Sequence, residues 1–303
     1  MTPGCSSMTR NIGKWLISGP PVFYLAVFFV IPTFIMVLAS FRHAGEFGGL
    51  APIFLHDVRG AHLNLTLESY REYFSDFIYS RLFIKTLIYA LVTTFFCLVT
   101  AYPLALLIAG SEKRHRDLLV LLVILPFWSN FLIRIYAWMI ILGPQSALSV
   151  GLNGFLGMFG IEPVGLLFTP FAVVLCLIYV QLPFMVLPLY ANLEKHDPAL
   201  LDAAQDLGAN SWQRFWRITF PLSLPGVYAG IALVFIPVLG IFAVPDILGG
   251  TGGIMIGNLI KQEFLEARDW PFGSALSIIL TLGALCIVGV AAMVAGRTVK
   301  NDA

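Results

Sequence analysis

Long apolar stretches alternate with short polar ones along this chain. Six runs are each long enough to cross a bilayer, at about 20 apolar residues per helical crossing. They are Pro20–Ser40, Ile84–Ala109, Leu118–Leu142, Phe168–Tyr190, Leu222–Pro245 and Pro271–Gly296. A segment in lipid must satisfy its own backbone hydrogen bonds, so each run is predicted as an α-helix. The expected fold class is an all-α membrane protein with six transmembrane helices. The first run follows Arg10 and Lys14, as the core of a secretory signal would. It exceeds the usual signal core of about 7–15 residues, and no small-x-small cleavage site follows, so it reads as a span.

Composition supports lipid as the solvent. The chain is 58% hydrophobic and only 12% charged, against roughly 25% charged in a soluble domain. A net charge of +1 gives no reason to expect nucleic acid as a partner. Cys5, Cys97, Cys176 and Cys286 lack zinc-type spacing and read as reduced packing residues.

Basic residues set the orientation. Arg10 and Lys14 precede the first run, Lys113, Arg114 and Arg116 lie in the second connection, and Lys195, Arg214 and Arg217 lie in the fourth. Arg297 and Lys300 follow the last run. These share one side, so both termini are expected in the cytoplasm. The other side holds Arg42, Arg59, Arg71, Arg81, Lys261 and Arg268, mostly in a long first loop where the rule counts less. Its acids are Glu46, Asp57, Glu68, Glu72, Asp76, Glu162, Asp246, Glu263, Glu266 and Asp269. They give either a mild attraction for cations or ordinary solvated loops. In the first loop, Leu67, Tyr70 and Phe74 fall on one helical side, which suits packing on the membrane or meeting a partner.

One cytoplasmic stretch breaks the apolar pattern: "LLDAAQDLGANSWQRFWRITFPLSLPG", Leu200 to Gly226. Asp197-Pro198 starts a helix, because Asp caps and Pro suits the first turn. Leu200, Ala203, Ala204 and Leu207 fall on one face, and Gly208 stands where a left-handed helix end is wanted. Ser211 can cap a second helix, with Trp212, Phe215, Trp216 and Thr219 on one side and Arg214 and Arg217 pointing away. Pro221 and Pro225 are expected to stop or bend the chain beyond it. This helix–Gly–helix elbow either lies among lipid headgroups or docks a cytoplasmic partner.

The stretch resembles the cytoplasmic loop of ABC-importer permeases, whose pattern is E-A-A, three residues, G, nine residues, I-x-L-P. Asp202, Ala203, Ala204, Gly208, Ile218 and Pro221 stand at those spacings; Asp202 replaces Glu and Phe220 replaces Leu. More of the chain, from Ile84 to Gly296, is similar to the spermidine/putrescine branch of that family. The stretches that carry this are "LLVILPFWSNFLIRIYAWMIIL", "LPFMVLPLYANLEKHDPALLDAAQDLGA" and "IMIGNLIKQEFLEARDWPFGSALSI".

The resemblance implies a type I ABC-importer permease fold in the lipid bilayer of a bacterial inner membrane. It implies a cytoplasmic segment 1–19, a permease domain 20–296 with outer loop 41–83 and coupling loop 191–221, and a tail 297–303. The implied partners are two copies of an ABC ATPase seated on the elbow, a second homologous permease and a periplasmic polyamine-binding protein. ATP and Mg would be used by the ATPase, and no cofactor is expected on this chain. The residues agree: no G-x-x-x-x-G-K-[ST] occurs, and "LGGTGGIMIG" lacks the lysine of a phosphate cradle and reads as a flexible re-entrant or loop turn. No H-E-x-x-H or G-x-S-x-G suggests an enzyme.

A polyamine has no Asp or Glu within these runs to meet. The expected pathway therefore relies on cation–π attraction from Phe127, Trp128, Tyr136 and Tyr179, an amide oxygen of Asn130, and Asp246 at the outer mouth. Packing or interface anchoring is the alternative for each ring. Arg134, inside the third run, is expected to snorkel outward or pair with a partner subunit. Pro32, Pro103, Pro126, Pro183, Pro188, Pro225 and Pro237 mark candidate hinges. Two other readings remain: an ABC permease for another small solute, such as an amino-acid derivative, another organic cation or an anion, and a stand-alone secondary transporter. The missing buried carboxylates weigh against the latter.

Overall fold

The computed structural model describes residues 18–45, 48–52, 54–57 and 60–301. Cys5, Arg10, Lys14, Glu46 and Arg59 lie outside the described residues. Among the described residues, six helical stretches are long and apolar enough to cross a membrane: Ser18–Ser40, Phe77–Ala109, Phe131–Met158, Pro170–Leu193, Ser211–Gly240 and Trp270–Val290. The first, α1, runs Ser18–Ser40. A β-hairpin follows, β1 (Phe54–Asp57) paired antiparallel with β2 (Gly60–Leu63). Then come α2 (Glu68–Ser75), α3 (Phe77–Ala109) and α4 (Lys113–Ile124). After a 3-10 turn at Leu125–Trp128 lie α5 (Phe131–Leu142), α6 (Ala147–Met158) and α7 (Pro170–Leu193). The elbow helices are α8 (Pro198–Asp206) and α9 (Ser211–Gly240). The chain ends with α10 (Ala243–Leu248), α11 (Ile256–Gln262) and α12 (Trp270–Asn301).

Three expectations change. The expected third span, Leu118–Leu142, is shifted: the helix breaks at Ser129, Asn130 restarts α5 by accepting the Leu132 N–H at 2.8 Å, and the stretch long enough to cross runs Phe131–Met158, through α5 and α6. Pro126 sits in the 3-10 turn, where its missing N–H and fixed φ favour leaving the α-helix. The expected fifth span does not begin at Leu222. It is continuous with the elbow's second helix from Ser211, and it ends at Gly240, short of the expected Pro245. Pro221 therefore does not stop the helix. A π turn at Phe215–Thr219 precedes it and widens the backbone where its ring would meet a carbonyl. The hairpin is a small β addition to an otherwise helical chain.

The contacts divide the chain into two compact units. In the first, residues 1–77 and 260–282, Ser40 is buried and its Oγ lies 2.8 Å from the Tyr70 hydroxyl. Ser69 and Tyr73 are the buried residues of α2, while Leu67 and Phe74 of the expected Leu67–Tyr70–Phe74 side are exposed. Asp269 caps α12 through the Phe272 N–H at 3.0 Å. Burial, then Asp269, then Glu72 hold the Glu263 carboxyl above its usual range.

The second unit, residues 78–259 and 283–303, is organised around α7 against α9. Gly226 and Gly230 make that approach possible. A Cβ on Gly226 would stand 2.7 Å from the Asn192 Cβ and 3.0 Å from the Pro188 oxygen. One on Gly230 would stand 2.5 Å from the Met185 sulfur. This is the small-x-x-x-small device by which helices approach closely in lipid. Buried Gln181 donates to the Val234 carbonyl across the pair. Cys97 and Cys176 are buried packing residues, as expected, while Cys286 is exposed.

Candidate functional site

The elbow is built locally. Asp197 accepts the Ala199 N–H at 3.0 Å and Pro198 occupies the first turn, which starts α8. The helix ends in a Schellman closure: Gly208 donates to the Gln205 carbonyl at 2.8 Å and Ala209 to the Ala204 carbonyl at 3.0 Å. Gly208 adopts φ +84°, a conformation an L side chain reaches only under strain. The cap of the second helix is Asn210, not Ser211: its side chain accepts the Gln213 N–H at 2.8 Å while Gln213 accepts the Asn210 N–H at 3.0 Å. Asn at the cap with Gln three residues on forms the reciprocal capping box, and this leaves Ser211 inside the helix.

Two contacts fix the angle between the arms. Arg214 does not point away; its guanidinium donates to the Gln205 side chain at 2.9 Å, bridging α9 back to α8. Behind the elbow, Tyr102 of α3 bonds Ser223 of α9 at 2.7 Å in a buried site, and its ring meets the Phe215 ring edge-on at 5.5 Å. Trp212, Trp216 and Phe220 continue this aromatic cluster.

Of the expected α8 face, Ala204 is half-buried, but Ala203 and Leu207 are exposed, Leu207 at 89%. Asp202 and Gly208 are exposed beside them, with nothing within 4 Å of a Cβ at Gly208. Ile218 is half-buried and Pro221 exposed. The elbow thus presents a small-residue, partly apolar surface at its bend. Under α8 lies a cavity of about 300 Å³, lined by Leu106, Leu193, Leu200, Leu201, Ile218 and Leu222 among others.

Arg116 braces the same end of the unit. It pairs with Glu194 at 2.7 Å and donates to the carbonyls of Ala109 and Ser111, closing the end of α3. Hydrogen bonds from Tyr190 and Arg116 hold the Glu194 carboxyl below its usual range. The sign follows: this ion-pair coupling is present at neutral pH and is lost as pH falls through that lowered value. An Arg116→Ala, Glu194→Gln double-mutant cycle is expected to show coupling at neutral pH and none in acid, read by thermal unfolding.

The expected pathway residues differ in their surroundings. Trp128 and Tyr136 are exposed, and Tyr179 packs edge-on against Trp138 at 5.6 Å. The Asn130 side chain is engaged in its cap. Phe127 packs on Phe184 at 5.1 Å and carries the guanidinium of Arg134 at 5.0 Å from its centroid. Arg134 neither snorkels nor reaches solvent; it is 8% exposed. Asp246 is exposed on α10, which packs on α5 and α7, and the Asn258 amide donates to it at 3.4 Å.

Asn258 also accepts the Met255 N–H and donates to the Phe242 carbonyl, which ties the glycine-rich turn down. Gly249 and Gly253 there pack against each other too closely to admit a Cβ on either. The expected re-entrant or loop turn is packed rather than flexible. Its signal in the sequence is the pair of glycines at 249 and 253 followed by Asn258, a spacing that a search for a phosphate cradle passes over.

Comparison with known proteins matches this architecture. The family model of the binding-protein-dependent transport system inner membrane component matches residues 78–300. The spermidine/putrescine transport system permease protein PotB of Salmonella typhimurium is 41% identical over 261 residues, covering 86% of this chain and 85% of that one. The PotB of Haemophilus influenzae is 44% identical over 218 residues, covering 72% and 75%. A chain of the bacterial alginate ABC transporter, solved with an alginate pentasaccharide-bound periplasmic protein, superposes with a TM-score of 0.75 at 19% identity, covering 98% of both chains. The elbow built on α8 and α9 falls within the matched region, and the chain belongs to the family of binding-protein-dependent transport system inner membrane components, as a membrane permease and not an enzyme.

Proposed function

We propose that this permease imports polyamines, spermidine or putrescine, from periplasm to cytoplasm. The observation that carries the reading is the identity of 41% over 86% of the chain with a spermidine/putrescine permease. Residues 20–296 form the membrane body of a type I importer with both termini in the cytoplasm. An ABC ATPase, in two copies, grips the elbow at Asp202, Ala203, Ala204, Gly208, Ile218 and Pro221, and supplies ATP and Mg chemistry that this chain lacks. A second homologous permease completes the pathway, and a periplasmic polyamine-binding protein delivers the cargo.

Physical support for the elbow is its continuity with span five. A push on Trp212 or Ser211 is transmitted along one unbroken helix to Gly240. The Arg214–Gln205 bridge makes α8 and α9 move together. Nucleotide binding then favours one arrangement of the spans over another only if the ATPase grips the two elbow positions unequally.

Asp246, with the outer acids, receives the cation, while exposed Trp128 and Tyr136 line its route. Affinity is left to the binding protein, since cation–π contacts of about 0.5–2 kcal/mol each release cargo readily. In proteoliposomes holding the whole transporter, spermidine uptake is expected to require ATP and the binding protein. Asp246→Asn is expected to lower that uptake about tenfold, the loss of one charge contact worth about 1.4 kcal/mol. Uptake by this chain alone down an ion gradient would overturn the reading.

A further inference from the structure

The helical run ahead of the third candidate span, Phe131–Met158, is interrupted at Ser129 and Asn130, and an aromatic ring stands on each side of the break. Phe127 lies in the 3-10 turn before it, and Phe131 is the first residue of α5. Arg134, one turn on, folds back over both: its guanidinium carbon is 5.0 Å from the centroid of Phe127 and 5.8 Å from that of Phe131. The side chain is 8% exposed, and its Nε has no hydrogen-bond partner. The spans hold no Asp or Glu to neutralise it.

A buried charge without a counterion is costly, and ring faces offset that cost only in part. Arg134 is therefore held, but held weakly. Two like charges a few ångströms apart in a low-dielectric site repel strongly. A second cation can enter this place only if the first leaves it. Secondary transporters, moreover, build solute sites at interrupted helices, where freed backbone groups face the cargo, and the same backbone chemistry is available here.

We infer that Phe127 and Phe131 form a cation seat that Arg134 occupies at rest as a tethered stand-in, and that the cation in transit displaces it. This rests on the polyamine reading above. Exchange keeps one cationic group on the rings while an ammonium group of the cargo passes. Neutral and anionic solutes cannot replace the guanidinium on the rings, so the seat selects for charge. The return of Arg134 expels the cargo, which prevents trapping.

The test is cation rescue in the complete transporter. Arg134→Ala vacates the seat and lowers the thermal midpoint. Millimolar guanidinium chloride, and separately spermidine, are then expected to raise the midpoint of R134A by about 3 °C, while leaving the wild type and the triple variant R134A/F127L/F131L unmoved. Rescue by neither cation overturns the seat. Rescue by guanidinium alone makes Arg134 a packing cation and overturns the exchange.

If R134A does not assemble, F127L/F131L with Arg134 retained decides the matter. Its spermidine uptake is expected to fall about tenfold, with binding-protein-stimulated ATP hydrolysis retained, consistent with a loss at the seat and not of coupling. Unchanged uptake overturns the proposal. Wild-type vesicles that import no spermidine refute the polyamine reading by themselves. In that event spermidine rescue of R134A still supports displacement, and its absence still overturns it.

Discussion

Gly208→Trp is expected to cut ATP-driven uptake to about a hundredth while leaving the chain in the membrane. Gly208 is exposed at φ +84°, with open space around its Cα. Any L side chain there carries about 1–2 kcal/mol of backbone strain, which alters the bend between α8 and α9. A ring at that point also stands where a partner would seat against Ala203 and Ala204. Together these are expected to lower uptake about 100-fold, equivalent to about 2.7 kcal/mol. Gly208→Ala carries the strain without the bulk and is expected to lose less than tenfold, so the pair separates bend from contact. The measurement is uptake in proteoliposomes normalised to inserted protein, with the thermal midpoint as a check on folding. A Gly208→Trp variant that transports normally removes the elbow as the coupling point.

Gly226→Leu is expected to do the opposite: to destroy the folded permease before transport can be asked about. Its Cβ would meet the Asn192 Cβ at 2.7 Å and the Pro188 carbonyl at 3.0 Å, and the latter is backbone that cannot swing aside. Overpacking commonly costs about 1–3 kcal/mol, and a contact with backbone on a helix pair this central lies at or beyond the upper end. Little monodisperse protein is expected on size-exclusion chromatography in detergent. Gly226→Ala is expected to fold at reduced thermal midpoint, and Asn192→Gly to restore part of that loss. Wild-type yield of Gly226→Leu would mean that α7 and α9 are not packed as described.

Much of this is legible in the sequence, and unevenly so. Apolar length locates each span, because lipid leaves a chain few options besides a helix. It locates their ends poorly: "VILPFW" looks the same to a hydropathy scale on either side of Pro126, where the α-helix gives way to the 3-10 turn. The Gly226-x-x-x-Gly230 pair is a sequence sign of close helix contact, but hydropathy gives it no weight. Arg134 is legible as an intramembrane charge, but not as one resting on Phe127 and Phe131, since that depends on the break turning Phe127 back toward α5. The elbow is legible almost in full, because caps and left-handed glycines act within a few residues.

The sequence by itself determined the apolar character, six candidate spans and the helix–glycine–helix elbow. These rest on local periodicity and residue chemistry. Only the tertiary structure decided that the elbow and span five are one helix, that Arg214 locks the elbow's arms, that Tyr102 fastens it to α3, and that the glycine-rich turn is packed shut. Each of those depends on groups distant along the chain, and a hydrogen bond or steric contact between them has no trace in local pattern until the fold brings them together.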